Sequence, residues 1–142
     1  MENDAVYLAF DFGLKRIGVA VGQRLTGTAS PLTTLSAQGG EPDWKAVARL
    51  VAEWRPAALV VGLPYNVDGS PQPFTGEARR FAERLAAHCA LPVHLVDETL
   101  SSHAAAEGLR ERRQAGGRRI RKHEIDQAAA CVILETWLRA SQ

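Results

Sequence analysis

Ala9-Phe10-Asp11-Phe12-Gly13-Leu14-Lys15-Arg16-Ile17-Gly18-Val19-Ala20-Val21-Gly22 is the stretch that decides how this chain folds. Val6 to Phe10 is a short apolar run and reads as a buried strand. Asp11-Phe12-Gly13 ends or bends it, and Ile17 to Val21 reads as a second strand, close enough for a hairpin. A carboxylate therefore stands directly at the end of a buried strand, where an apolar residue would be cheaper.

On the C-terminal side the pattern alternates between strands and helices. Thr28 to Leu35 is β-prone, with Pro31 marking an edge or a bulge. Asp43 is placed to cap a helix to about Trp54, with Trp44, Val47, Leu50, Val51 and Trp54 at helical spacing and Pro56 as its stop. Ala58 to Leu63 is a continuous apolar run, as in a strand buried on both faces. Tyr65 to Pro73 has loop chemistry. Thr75 to Cys89 reads as a helix with Phe81, Leu85 and Ala86 on one side, and Pro92 to Val96 as a strand. A third helix is expected from Ser101 or Ser102 to about Gln114. A last helix runs from Glu124 to Arg139, its apolar face formed by Ile125, Ala128, Ala129, Val132, Ile133, Thr136 and Trp137. An antiparallel meander followed by βα units implies a three-layer α/β fold, a mixed sheet with helices on both faces.

Composition bounds the class. The chain has 142 residues, 46% hydrophobic and 23% charged, which suits one domain over residues 1–142 with one core. A net charge of +1 excludes a protein that is polybasic throughout. No apolar run reaches the roughly 18–20 residues of a membrane span, and the acidic start, Met-Glu-Asn-Asp, lacks a secretory h-region. A cytoplasmic location is the expectation. Cys89 and Cys131 fit neither a disulfide framework nor a zinc site.

Charge is nonetheless unevenly placed. Between Arg110 and His123 lie Arg110, Arg112, Arg113, Arg118, Arg119, Arg121 and Lys122, opposed only by Glu111, with Gly116-Gly117 in the middle. A solvated helix face with a basic loop would look the same. The functional reading is an arm that grips phosphate, since the arginine fork suits phosphate oxygens. The arm holds no aromatic residue, so it should hold a backbone rather than stack bases.

The acidic residues carry the chemistry. Asp11 ends the first strand, Asp97-Glu98 follows the last one, and Asp126 lies in the first turn of the last helix. Alternation places His94, Val96 and Glu98 on one strand face, and Tyr7, Ala9 and Asp11 on another. If these elements converge, Asp11, Glu98 and Asp126 share a pocket, and three carboxylates together call for a cation. Oxygen donors without a Cys/His cluster favour Mg²⁺ or Mn²⁺. Taken singly, Asp126 also suits a helix N-terminus and Asp97 a turn. His103 and His123 flank these motifs, and neither is assigned a catalytic role.

The opening stretch closely resembles that of the YqgF (RuvX) family of Holliday-junction-resolvase-like proteins. So do Val61-Gly62-Leu63-Pro64-Tyr65-Asn66-Val67-Asp68-Gly69-Ser70, Val96-Asp97-Glu98-Thr99-Leu100-Ser101-Ser102 and Lys122-His123-Glu124-Ile125-Asp126-Gln127-Ala128-Ala129-Ala130. The four motifs follow the family order over nearly the whole chain. The resemblance implies an RNase H-like fold with a five-stranded mixed sheet and metal-dependent phosphodiester hydrolysis. The substrate it implies is pre-16S ribosomal RNA during 5′-end maturation, with branched DNA as the alternative. Asp11, Glu98 and Asp126 match the catalytic, metal-binding positions. Metal-assisted hydrolysis with one or two divalent ions would follow, Asp11 being shared between them. Lys15, Arg16, Arg118, Arg119, Arg121 and Lys122 would hold the nucleic acid, and Tyr65, Asn66 and Ser70 would line the cleft. Many relatives in the wider superfamily carry a carboxylate on the strand beside the first one. Here that strand ends in Gly62-Leu63-Pro64, so the acidic set is thinner.

Two other readings compete. A non-catalytic nucleic-acid-binding module of the same fold would bind without turnover. An actin-like ATPase shares the hairpin signature but needs two such domains around a nucleotide, and 142 residues supply one. No dimer motif stands out, although the apolar face of the last helix is available for sharing in a homodimer.

Overall fold

The computed structural model describes residues 5–63, 75–97 and 122–140. Their strands are β1 (Val6–Asp11), β2 (Arg16–Gln23), β3 (Thr28–Gln38), β4 (Glu41–Pro42), β5 (Ala58–Leu63) and β6 (Val93–Asp97). Their helices are α1 (Trp44–Trp54), α2 (Thr75–Cys89) and α3 (Lys122–Ala140). The sheet order is β4-β3-β2-β1-β5-β6. The meander β1-β2-β3 is antiparallel, and β5 and β6 add in parallel to β1. This is the expected mixed sheet plus a two-residue sixth strand. β4 folds back on the end of β3 through Gly39 and Gly40, whose φ values of 60° and 84° are open to glycine at little cost.

Instead of the single core expected from composition, alternation along the strands gives two apolar clusters, one on each face of the sheet. Leu8, Phe10 and Phe12 face one side with Ile17, Val19, Leu59, Val61 and Leu63. α2 covers that side with Ala78, Phe81, Ala82 and Leu85, and α1 adds Val47. On the other side Tyr7, Ala9, Ala58 and Val60 pack against Ile133, Leu134 and Leu138 of α3. All six residues of β5 are buried, which is why its sequence shows no polar alternation.

β2 explains how closely α3 can approach. Its bulky positions, Ile17 and Val19, point to the α1/α2 side. Gly18, Ala20 and Gly22 occupy the alternate positions, facing α3. A Cβ on Gly22 would stand 2.8 Å from Cδ2 of Leu134, and one on Gly18 would collide with the Asp126 carbonyl.

The local signals in the sequence act as expected. Asp43 Oδ1 accepts from Lys45 N at 3.0 Å and caps α1, and Arg55 closes it in the left-handed region at φ 46°. Pro31 accompanies a bulge, since Val19 pairs with Thr33 and Ala20 with Pro31. Burial pushes the Cys131 thiol up to about 11, with Glu135 adding to the effect, and burial also raises Cys89. Neither thiol is activated towards the thiolate.

One expectation needs correction. The buried stripe of α3 is Ala129, Ala130, Ile133, Leu134 and Leu138, whereas Ile125 is 37% exposed and Thr136 is exposed. Apolar residues run almost all round this helix, so periodicity alone could not choose the face. The glycine-lined surface of β2 makes the choice by admitting Asp126 at Gly18 and Leu134 at Gly22. The helix expected at Ser101–Gln114 lies outside the described residues.

Candidate active site

β1 delivers Asp11 at its C-terminal end. Asp11 follows Tyr7 and Ala9 in alternation, and both of these pack on the α3 side. Its cross-strand partners are Gly18 on β2 and Gly62 on β5. Gly18 is where α3 comes down on the sheet, with the Asp126 backbone seated against it. Asp126 is thus carried to the strand position next to Asp11, although 115 positions separate the two in sequence.

Among the described residues, three polar contacts cross between α3 and the sheet. Arg16 Nε donates to Asp126 Oδ2 at 3.0 Å, an ion pair with side chains 40% and 23% exposed. Gln127 Nε2 donates to Thr34 Oγ1 at 2.9 Å. The Ala29 N–H donates to Glu135 Oε2 at 3.1 Å. Gln127 and Glu135 gave no signal in the sequence, because their partners lie about 90–110 positions away.

The third carboxylate, Glu98, lies outside the described residues. The strand leading to it is in place. Val96 pairs with Gly62, which pairs with Asp11, so the three stand level across β6, β5 and β1. Val96 packs on the α3 side, and His94 stacks on Trp137 with ring centroids 4.9 Å apart. The expected shared face of His94 and Val96 is therefore observed. The partner of Asp11 on β5 is a glycine, so the neighbouring strand supplies no carboxylate at that level.

Of the expected nucleic-acid contacts, Lys15 is exposed in the β1–β2 turn and Arg16 opens β2. Arg16 is not a free cation, because it is paired with Asp126. Lys122 is the first residue of α3. Arg118, Arg119, Arg121, Tyr65, Asn66 and Ser70 lie outside the described residues. Among the described residues no three His, Cys, Asp or Glu side chains gather as a metal group. Asp11 and Asp126 contribute two carboxylates at one end of one sheet face, and such hard oxygen donors suit Mg²⁺ or Mn²⁺ rather than Zn²⁺.

A family model described as "RuvX: Holliday junction resolvase" matches residues 5–140. The chain belongs to the RuvX family. A Legionella pneumophila (strain Lens) protein named "Putative pre-16S rRNA nuclease" is 55% identical to this RuvX chain over 137 residues, 96% of this chain and 97% of that one. A protein of the same name from Escherichia coli O157:H7 (strain EC4115 / EHEC) is 52% identical over 130 residues, 92% and 93% of the two chains. Among solved structures, T. thermophilus RuvC in complex with a Holliday junction substrate superposes with a TM-score of 0.55. It is 20% identical and covers 96% of this chain and 95% of that one. That likeness shows a shared RNase H-like fold. No helix among the described residues is long and apolar enough to cross a membrane.

Proposed function

We propose that this RuvX chain, a single domain, is a metal-dependent nuclease that hydrolyses phosphodiester bonds of pre-16S rRNA during 5′-end maturation. The observation that carries the reading is the seating of Asp126 on Gly18, the cross-strand partner of Asp11. It brings a helix carboxylate to a strand-end carboxylate without a bulky residue between them. The names of the RuvX relatives support RNA as the substrate.

Asp11, Asp126 and Glu98 would hold Mg²⁺ or Mn²⁺. When bound, such an ion lowers the pKa of a coordinated water and offsets charge at the scissile phosphate. The residues of the chain do the rest. Asp11 and Asp126 are held on rigid elements, which limits their reorganisation during reaction. Lys15, Arg16 and the basic arm at Arg118, Arg119, Arg121 and Lys122 would draw in and orient the backbone by its phosphates. Tyr65, Asn66 and Ser70 would line the approach.

Cleavage of branched DNA is the second reading, favoured by the family description and by the RuvC fold. The test compares an end-labelled pre-16S leader, a linear single-stranded RNA and a four-way DNA junction, each with Mg²⁺, Mn²⁺ or EDTA. Asp11→Asn should abolish cleavage while binding stays equal or strengthens. Cleavage of RNA that depends on metal and on Asp11 establishes the rRNA reading. Symmetric nicking of the junction alone replaces it with a resolvase. Tight binding without cleavage in any metal makes the chain a binding module.

A further inference from the structure

We propose that Arg16 is a positioning residue that ties the Asp126 carboxylate to a substrate phosphate through one guanidinium. The inference rests on the nuclease reading above and deepens it.

The geometry of the pair is the starting point. Arg16 engages Asp126 through Nε and a single oxygen, Oδ2, at 3.0 Å. A pair built for stability usually presents the two-pronged edge of the fork to both carboxylate oxygens. Contact through Nε spends one of five N–H donors. Among the described residues this is the only ion pair of Arg16, and the carboxylate's Oδ1 accepts no described hydrogen bond. The Arg16 side chain is 40% exposed, against 23% for Asp126, so the guanidinium keeps access to solvent while its carboxylate partner is the more enclosed of the two. The Nη groups, which form the edge that matches phosphate oxygens, carry no described acceptor.

Placement agrees with this reading. Arg16 is two residues before Gly18 on β2 and shares its face, beside the strand position of Asp11. A phosphate held by the Nη edge would thus lie beside both carboxylates, and among the described residues nothing else engages Oδ1 of Asp126. The pair is not what docks the helix. Gln127 and Glu135 tie α3 to β3 independently, and Ile133, Leu134 and Leu138 are fully buried beneath it. A partly exposed ion pair adds little stability beside such packing.

The experiment uses the full chain with Arg16→Gln and Arg16→Lys. Anisotropy of a fluorescein-labelled pre-16S leader is followed in EDTA across a salt series, and single-turnover cleavage is followed in Mg²⁺. Arg16→Gln should weaken binding, lower the salt slope by about one and reduce the cleavage rate by about 100-fold. Arg16→Lys should restore the slope but not the rate, because an ammonium lacks the fixed fork that spans carboxylate and phosphate. Thermal midpoints should stay within about 3 °C of wild type. An unchanged slope in Arg16→Gln removes the phosphate contact and overturns the proposal. So does a wild-type cleavage rate in Arg16→Lys, or a large fall in both midpoints. If the wild-type chain cleaves nothing, the nuclease reading fails on its own account, and the slope in EDTA still decides whether Arg16 meets phosphate.

Discussion

Gly18 is the residue on which the site turns. It has an ordinary strand conformation, and its role is closeness: the Asp126 carbonyl lies where a side chain would begin. Replacing it by alanine forces α3 to lift or β2 to bow. Overpacking of this kind costs about 1–3 kcal/mol. Gly18→Ala should therefore lower the urea midpoint. It should also reduce cleavage more than Gly22→Ala does, although Gly22 lies under the same helix, 2.8 Å from Leu134 at its would-be Cβ. Equal losses of activity in the two variants would make the contact general packing rather than placement of Asp126. The sequence marked Asp11 and Asp126 as carboxylates in awkward places, and it showed Gly18 as part of a motif. It could not show that Gly18 is the seat of Asp126, since a glycine records nothing of what lies above it.

Among the elements, the short β4 and the two helices beside it form a clamp of their own. Glu41 accepts from Trp44 Nε1 at 2.7 Å and from Arg84 Nη2 at 2.6 Å, and Arg84 Nη1 reaches its other oxygen. Arg84 also lies over the Trp44 ring at 5.3 Å, and His88 stacks on that ring at 4.0 Å. The clamp links β4, α1 and α2 at the surface. The hydrogen bond from Arg84, then that from Trp44, holds the Glu41 carboxyl down at about 2 from an ordinary 4.5. A lowered folded-state pKa means stability that is present above pH 4.5 and lost as pH falls towards about 2. The thermal midpoint of Glu41→Gln should lie below wild type at pH 7, and the gap should close across that window. The gap should be modest and shrink with salt, because both partners are about half exposed. A gap that does not change with pH would assign the effect to packing. The helix signals here were legible: the Asp43 cap, the Trp44 to Trp54 spacing and the Pro56 stop are local chemistry. The face of α3 was not, because a helix that is apolar almost all round takes its orientation from the surface it meets.

For the molecule as a whole, the decisive feature is the uneven charge along the sequence, with the basic run from Arg110 to Lys122 set in an otherwise net acidic chain. Net charge near neutrality hides it. Nucleic-acid binding should weaken steeply with salt, because each phosphate contact releases counterions. Replacing Arg118, Arg119 and Arg121 with glutamine should reduce the magnitude of the log–log salt slope by up to about three, one per lost contact. It should leave the cleavage position unchanged. An unchanged slope would return the arm to an ordinary solvated surface.

Residue order alone determined the order of the described strands and helices apart from β4, the two-sided burial of Ala58 to Leu63, the Asp43 cap and Pro56 stop, and the carboxylates worth watching. These are readable because propensity, alternation and capping act within a few residues. The family resemblance also marked Arg16 as a cation that would hold phosphate. Pairing across the chain decided the rest. Only the docked helix shows that Asp126 rests on Gly18, that Arg16 is its ion-pair partner 110 positions away, and that Gln127 and Glu135 hold the helix there. Such contacts join groups whose neighbours in sequence say nothing of one another, so they exist only once the sheet has formed and α3 has settled on the glycine-bearing face of β2.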